Sequence, residues 1–391
     1  MRKISANTIF PVSRKAIKNG VVVVAEDGSI LEIGHRTDYE DSTLEIYDGV
    51  LVPGFINTHC HLELSHMKGK VATGTSLIPF ISNVVQFRDI PQAQIMAAIE
   101  AGDQAMYKAG IVAVGDISNK IDTALQKEKS AIRYATFVEC FDFLQEDWAE
   151  NTYEQYKAVY EAHSDRGGNK KSFVPHAPYS VSRNLFKLIN QANPDDCTVS
   201  LHNQETLAEN LFFLEKKGAF LDFYKNFDIS LAAFQATGTS SLQYALTYMN
   251  PNCKTLLVHN TMSTKEDIKF AHQWNPNCYW ATCPNANLYI ENRLPNYQYF
   301  LDTNAKVTLG TDSLTSNWQL SILEEMKTIS KYQSYVSFEQ LLQWATLNGA
   351  EALGYEQDLG SLEVGKTPGL LLLNLAEDLQ MTADTKVKRL I

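Results

Sequence analysis

The chain has 391 residues, 45% hydrophobic and 20% charged, enough for a large buried core and too apolar for disorder. Its formal net charge of −11 lacks the basic footprint that nucleic-acid binding requires. No apolar run approaches the ~20 residues of a membrane span, Met1–Phe10 lacks a signal-peptide core, and the six cysteines form no Cys-x-x-Cys pair, which together predict a cytoplasmic protein with reduced thiols.

Residues 1–52 read as β-structure. Val21–Val24 and Ile30–Ile33 flank Glu26-Asp27-Gly28-Ser29, whose Asp-Gly pair suits a hairpin turn, and another strand spans about 44–52. Eight β runs follow: Gly54–His59, Ile111–Val114, Tyr134–Val138, Ser172–Pro175, Thr198–Leu201, Thr255–Val258, Cys278–Thr282 and Lys306–Gly310. Helical patterns such as Gln92–Ala109, Thr152–His163, Ser182–Gln191, Thr206–Lys217 and Phe338–Leu353 lie between or after them. This alternation implies parallel strands with right-handed crossovers, and eight repeats imply an α/β fold closed as a (β/α)₈ TIM barrel. No Gly-x-Gly-x-x-Gly follows the first run, which counts against an open doubly wound sheet. Beyond it, Gly360–Gly369 is turn-rich and Leu370–Asn374 reads as a buried strand. The expected organisation is a barrel over 53–357 beside a small β-sandwich formed by both termini, 1–52 with 358–391.

Five of the nine histidines fall at the C-terminal ends of these runs, where barrels build their sites. His35, His66, His163 and His272 do not, and read as structural or surface residues. In His59-Cys60-His61 the strand period of two puts both imidazoles on one face and turns Cys60 away. His202 supplies a third imidazole and Asp312 a carboxylate. That set suits one divalent ion, Zn²⁺ first and Fe²⁺ second, with a position left for water. Such an ion lowers the pKa of water towards ~7. Hydrolysis of an aromatic C–NH₂ bond also needs a proton on the neighbouring ring nitrogen and on the leaving amine. Glu205, three residues after His202, is placed to carry it; Asp312 accepts the water proton, and His259 bonds that water and holds the developing alkoxide.

Pro53-Gly-Phe-Ile-Asn-Thr-His-Cys-His61, His176-Ala-Pro-Tyr179, His202-Asn-Gln-Glu205, Val258-His-Asn260 and Gly310-Thr-Asp-Ser313 resemble the amidohydrolase superfamily, in its mononuclear deaminase and chlorohydrolase branch. Cys283-Pro-Asn-Ala-Asn287, Thr346-Leu-Asn-Gly-Ala350 and Gly360-x-Leu-Glu-Val-Gly-Lys366 extend the resemblance over nearly the whole chain. Thr367-Pro-Gly-Leu370 departs from the family's Ala-Asp pattern, away from the site. The resemblance implies metal binding by His59, His61, His202 and Asp312, proton handling by Glu205, His259 and Asp312, and a substrate contact at His176. Some two-metal relatives carry a carbamylated lysine at the end of strand four; here that run ends at Pro175-His176, with Lys170 and Lys171 at its start, which favours one metal. His61-Leu-Glu-Leu-Ser65, with Lys68, Lys70, Leu77–Ile81 and Arg88, is similar to the aminodeoxyfutalosine deaminases, and the S-adenosylhomocysteine and methylthioadenosine deaminases share the metal motifs. On that likeness Glu63 is a further substrate contact, to a ribose hydroxyl or a purine nitrogen; the other reading is a solvated rim residue paired with Lys68 or another cation.

The implied activity is hydrolytic deamination of an aminopurine nucleoside, 6-amino to 6-oxo with release of ammonia. A guanine- or triazine-type amino- or chlorohydrolase and a cyclic amide hydrolase are the alternatives. The implied partners are a small-molecule substrate and further copies of the chain. Phe80, Tyr179 and Trp318 lie where a purine could stack, but aromatic residues in such places more often serve packing, and no role is assigned to them.

Overall fold

A computed structural model describes residues 1–391. The first fifty residues form β1 (Arg2–Ile9), β2 (Ile17–Val24), β3 (Ile30–His35) and β4 (Glu45–Val52). Then come β5 (Phe55–Cys60), β6 (Ile111–Ser118), β7 (Arg133–Cys140), β8 (Lys170–Pro175), β9 (Thr198–Asn203), β10 (Lys254–His259), β11 (Cys278–Thr282) and β12 (Lys306–Leu309). Two short strands, β13 (Leu371–Leu373) and β14 (Val387–Arg389), close the order.

The terminal strands make one six-stranded sheet in the order β14-β13-β4-β1-β2-β3. The expected meeting of the two ends is seen, but as a single sheet. One face sends Val50, Val52, Leu371 and Leu373 into the main core, while Ile4, Ile9, Val22, Val24 and Leu51 form a separate apolar cluster on the other. β1 lies inside this sheet, parallel to β4 and antiparallel to β2. Its Arg2, Lys3, Ser5, Asn7 and Thr8 leave no apolar run to mark it as a separate strand.

β5 to β12 form two parallel four-stranded sheets, β5-β6-β7-β8 and β9-β10-β11-β12. At one junction the His202 amide donates to the His176 carbonyl at 2.9 Å and Ser172 Oγ to the Thr198 carbonyl at 2.7 Å. At the other, the Thr311 and Asp312 amides both donate to the His59 carbonyl at 3.0 Å, and Thr58 Oγ1 donates to the Leu309 carbonyl at 2.9 Å. These bonds hold His59, His176, His202 and Asp312 at one end of the strands.

Several strands run beyond their apolar centres: Asp116 and Ser118 belong to β6, Glu139 to β7 and His202 to β9. The Phe338–Leu353 pattern is two helices, Phe338–Ala345 and Leu347–Leu353, broken at Thr346 with φ −134° and ψ −86°. Above the strand ends, Met67, Phe80, Phe212, Phe213, Phe220, Phe223, Tyr224 and Phe234 build a second apolar cluster from loops and helices. No helix is long and apolar enough to cross a membrane.

Candidate active site

The first parallel strand delivers His59 within β5 and His61 just beyond it, with their Nε2 atoms 3.2 Å apart. One nitrogen from each of His59, His61 and His202 lies within 4.8 Å of the others. Asp312 Oδ1 stands 3.7 Å from His59 Nε2 and 3.5 Å from His61 Nε2. Cys60 belongs to no such cluster, in keeping with strand alternation.

Asp312 lies three residues beyond β12 rather than at its end, on a backbone with φ +55°. His259 closes β10 with φ +72°. A non-glycine residue in this region costs of order 1–3 kcal/mol, so the surroundings must enforce it. Asp312 is fixed by its amide on the His59 carbonyl and by Ser316 Oγ donating to Oδ2 at 2.7 Å. His259 is fixed by Nδ1 against Asn287 Oδ1 at 2.9 Å.

Burial decides most of the protonation. It pushes the His59, His61 and His259 imidazoles down to about 4, so they are neutral near pH 7. Burial also opposes charge on Asp312, but the facing His59, His61 and His259 outweigh it and hold its carboxyl well below the usual range. Glu205 moves the other way: burial, aided by the Asp312 and Glu209 carboxylates, raises it well above the usual carboxylate range. Its Oε1 lies 3.7 Å from His259 Nε2. Two neutral imidazoles, His59 and His61, with a third ring at His202 and an ionised carboxylate are the donor types of a divalent-ion site, so these residues fit one. His202 donates from Nδ1 to the His176 carbonyl at 2.9 Å, which turns Nε2 to the cluster; burial opposes charge on this ring, but the adjacent Glu139 carboxylate outweighs it and raises His202 to about 9.

The cluster opens into a cavity of ≈ 370 Å³. His61, His176, His202, Glu205, His259 and Asp312 line its inner part, and Leu64, Leu77, Phe80, Ile81, Val84, Phe141, Phe143 and Phe223 are among its walls. Tyr179 also lines it, whereas Trp318 does not and packs against Tyr289 with ring centroids 5.3 Å apart. His176 Nδ1 meets Ser180 Oγ at 2.7 Å.

Glu63 is brought near this site without lining it. Its carboxylate accepts the amides of Asn119 and Lys120 at 3.0 and 3.1 Å and pairs with Arg88 at 3.5 Å. Arg88 does line the cavity, so Glu63 reaches it through that guanidinium. His66 and His163 hold backbone carbonyls (Arg88 at 2.8 Å, Val159 at 2.9 Å), and His272 accepts the Trp280 indole N–H at 3.2 Å, all structural uses.

Sequence reasoning missed Asn119 and Glu139, which line the cavity from the ends of β6 and β7. The available signal was a lone carboxylate directly after the apolar run Tyr134–Val138.

The family model described as "Amidohydrolase family" matches residues 50–390. A Helicobacter pylori adenosine deaminase is 26% identical over 388 residues, covering 96% of this chain and 92% of that protein. The crystal structure of Helicobacter pylori aminofutalosine deaminase in complex with methylthio-coformycin superposes with a TM-score of 0.80 at 24% identity, covering 100% of both chains. An adenosine deaminase from Xanthomonas campestris with bound zinc gives a TM-score of 0.74 at 21% identity, covering 96% of this chain and 85% of that one. At these identities the two structures speak to the fold.

Proposed function

Because the chain belongs to the amidohydrolase family, we propose that it hydrolyses a ring C–N bond, converting the 6-amino group of an adenine nucleoside to 6-oxo with release of ammonia. One observation carries this reading: a buried carboxyl held protonated, Glu205, stands 3.7 Å from a neutral imidazole, His259, beside the three-histidine cluster. The likeness to the Helicobacter adenosine deaminase supports the same class of substrate.

His59, His61, His202 and Asp312 would hold one divalent ion, zinc in preference to iron, as in the zinc-bound Xanthomonas structure. When bound, the ion supplies water of lowered pKa, ~7 in good cases. Asp312, ionised and facing the cluster, receives the water proton. With Asn287 Oδ1 accepting from Nδ1, His259 presents Nε2 as an acceptor, which orients the attacking water. Glu205 gives its proton to the ring nitrogen beside the amino-bearing carbon, then takes the proton of the added hydroxyl as the 6-oxo group forms and passes it to the departing amine, so that ammonia leaves neutral; the proton accepted by Asp312 restores Glu205 for the next turnover. His176 lines the cavity, which supports its reading as a substrate contact.

The bonds joining β8 to β9 and β12 to β5 support reading the two parallel sheets as one (β/α)₈ barrel over 53–357, with 1–52 and 358–391 as its companion unit.

The test is ammonia release by zinc-loaded protein on adenosine, 5′-deoxyadenosine, methylthioadenosine, S-adenosylhomocysteine, aminodeoxyfutalosine, guanine and an aminotriazine. Preference for adenine nucleosides is expected. Turnover of guanine or the triazine alone would move the assignment to the other ring substrates, and silence across the panel would reject deamination.

A further inference from the structure

Glu139 has no part in the proton transfers above. It sits near the end of β7, is 2% exposed, and lines the cavity. Its Oε1 is 3.2 Å from His202 Nδ1. Asn119 Nδ2 donates both to Glu139 Oε2 at 3.2 Å and to the Glu139 carbonyl at 2.9 Å, so one amide clamps the residue at its side chain and its backbone. The His202 Nδ1 hydrogen is aimed at the His176 carbonyl, and Glu139 Oε1 makes no hydrogen bond within the protein. A buried acceptor is therefore parked beside the Nδ1 hydrogen of an imidazole whose other nitrogen faces the metal cluster.

We propose that Glu139 is a positioning residue for the metal centre: it holds His202 with Nδ1 protonated and Nε2 turned towards His59 and His61. A carboxylate next to that N–H favours the required tautomer, and it makes Nε2 a stronger electron-pair donor to a bound cation. Its negative charge also offsets the excess positive charge of a divalent ion held by three neutral imidazoles and a single carboxylate. Glu139, His176 and His202 do bring one ligand atom each within 4.8 Å of the others, the spacing of a second cation site. His202 cannot serve there, because the nitrogen nearest Glu139 carries the hydrogen given to the His176 carbonyl. The inference rests on the metal-centre part of the reading above and is independent of which ring is the substrate.

The test measures zinc binding without turnover. Metal-free wild type, Glu139→Gln and Asn119→Ala are titrated with Zn²⁺ against a chromophoric chelator, and zinc content per chain is measured on the loaded proteins. Wild type is expected to take one zinc per chain. Glu139→Gln should bind it about 10–100-fold more weakly, with the melting temperature of the metal-free protein unchanged. Asn119→Ala, which frees the carboxylate without removing its charge, should weaken binding by less. If Glu139→Gln does not fold, the Asn119→Ala titration decides, and unaltered affinity there overturns the proposal. Unchanged zinc affinity with a raised KM in Glu139→Gln would make the residue a substrate contact instead. Two zinc ions per wild-type chain, falling to one in the variant, would make it a ligand. No zinc binding by the wild type would overturn the metal-centre reading itself.

Discussion

Glu205 and His59 are both buried, and burial moves their protons in opposite directions. A low-dielectric setting disfavours the charged form of either group, so the carboxyl keeps its proton and the imidazole sheds it. One buried environment thus prepares an acid and a lone-pair donor together. Glu205→Gln is isosteric and removes only the transferable proton. It should lower kcat by ~10²–10⁴ while zinc content stays at the wild-type level, checked by steady-state ammonia release and metal analysis. At this scale the sequence was informative, because His-x-His and His-x-x-Glu carry their chemistry in their spacing. Glu63 shows where it was not. Its neighbourhood to His61 placed it near the site, but the amides of Asn119 and Lys120, more than fifty residues away, decide where its carboxylate points.

Between elements, the site depends on contacts that a linear reading misses. Asp116 Oδ1 accepts the Leu62 amide at 2.8 Å, which fixes the chain immediately after His61. Its Oδ2 pairs at 2.6 Å with Lys127, which also bonds Ser118 Oγ and Thr136 Oγ1. Both partners are buried, with side chains 0% and 3% exposed. Removing one partner of such a pair strands the other charge and costs about 3–5 kcal/mol. Lys127→Met should therefore lower unfolding stability by about that amount in a urea titration. The apolar run Ile111–Val114 gave the existence and order of β6, but Asp116 and Ser118 lie in its extension, where polar residues fill the sheet because charge and hydroxyl are paired inside. Gly310 is a second example. A Cβ there would sit 2.8 Å from His59 Cβ and 3.0 Å from its backbone nitrogen, so β12 approaches β5 closely only because residue 310 has no side chain.

Over the whole molecule, buried carboxyls tie stability to pH. Glu325 accepts the Asn285 amide and the Asn285 and Asn317 side chains at 2.8–2.9 Å, joining the segments after β11 and β12. Burial still dominates and pushes it up to about 8 from an ordinary 4.5. The folded state then holds a proton that the unfolded chain releases, so this contribution is complete below 4.5 and is lost as pH rises through about 8. Glu325→Gln should remove that part of the slope, so that the difference in melting temperature between variant and wild type shifts in the variant's favour from pH 5 towards pH ~8. A difference constant with pH would place the proton elsewhere. The sequence alternation of strands and helices showed the order of this architecture. It did not show that the terminal strands share one sheet, because β13 is three residues long and its register, Leu371 against Val52 and Leu373 against Val50, exists only in three dimensions.

That pairing sets an order of events during synthesis. β4 runs into β5 across only Pro53 and Gly54, so the strand bearing His59 is anchored beside an apolar edge, Val50–Val52, whose partner is translated more than 300 residues later. At about 5–20 residues per second, the ribosome leaves that edge uncovered for on the order of tens of seconds. Arg389, which bonds the Tyr107 and Ile111 carbonyls, arrives later still. The nascent chain therefore passes a long interval with an unpaired apolar β edge next to its incomplete catalytic centre, open to pairing with other chains until β13 arrives.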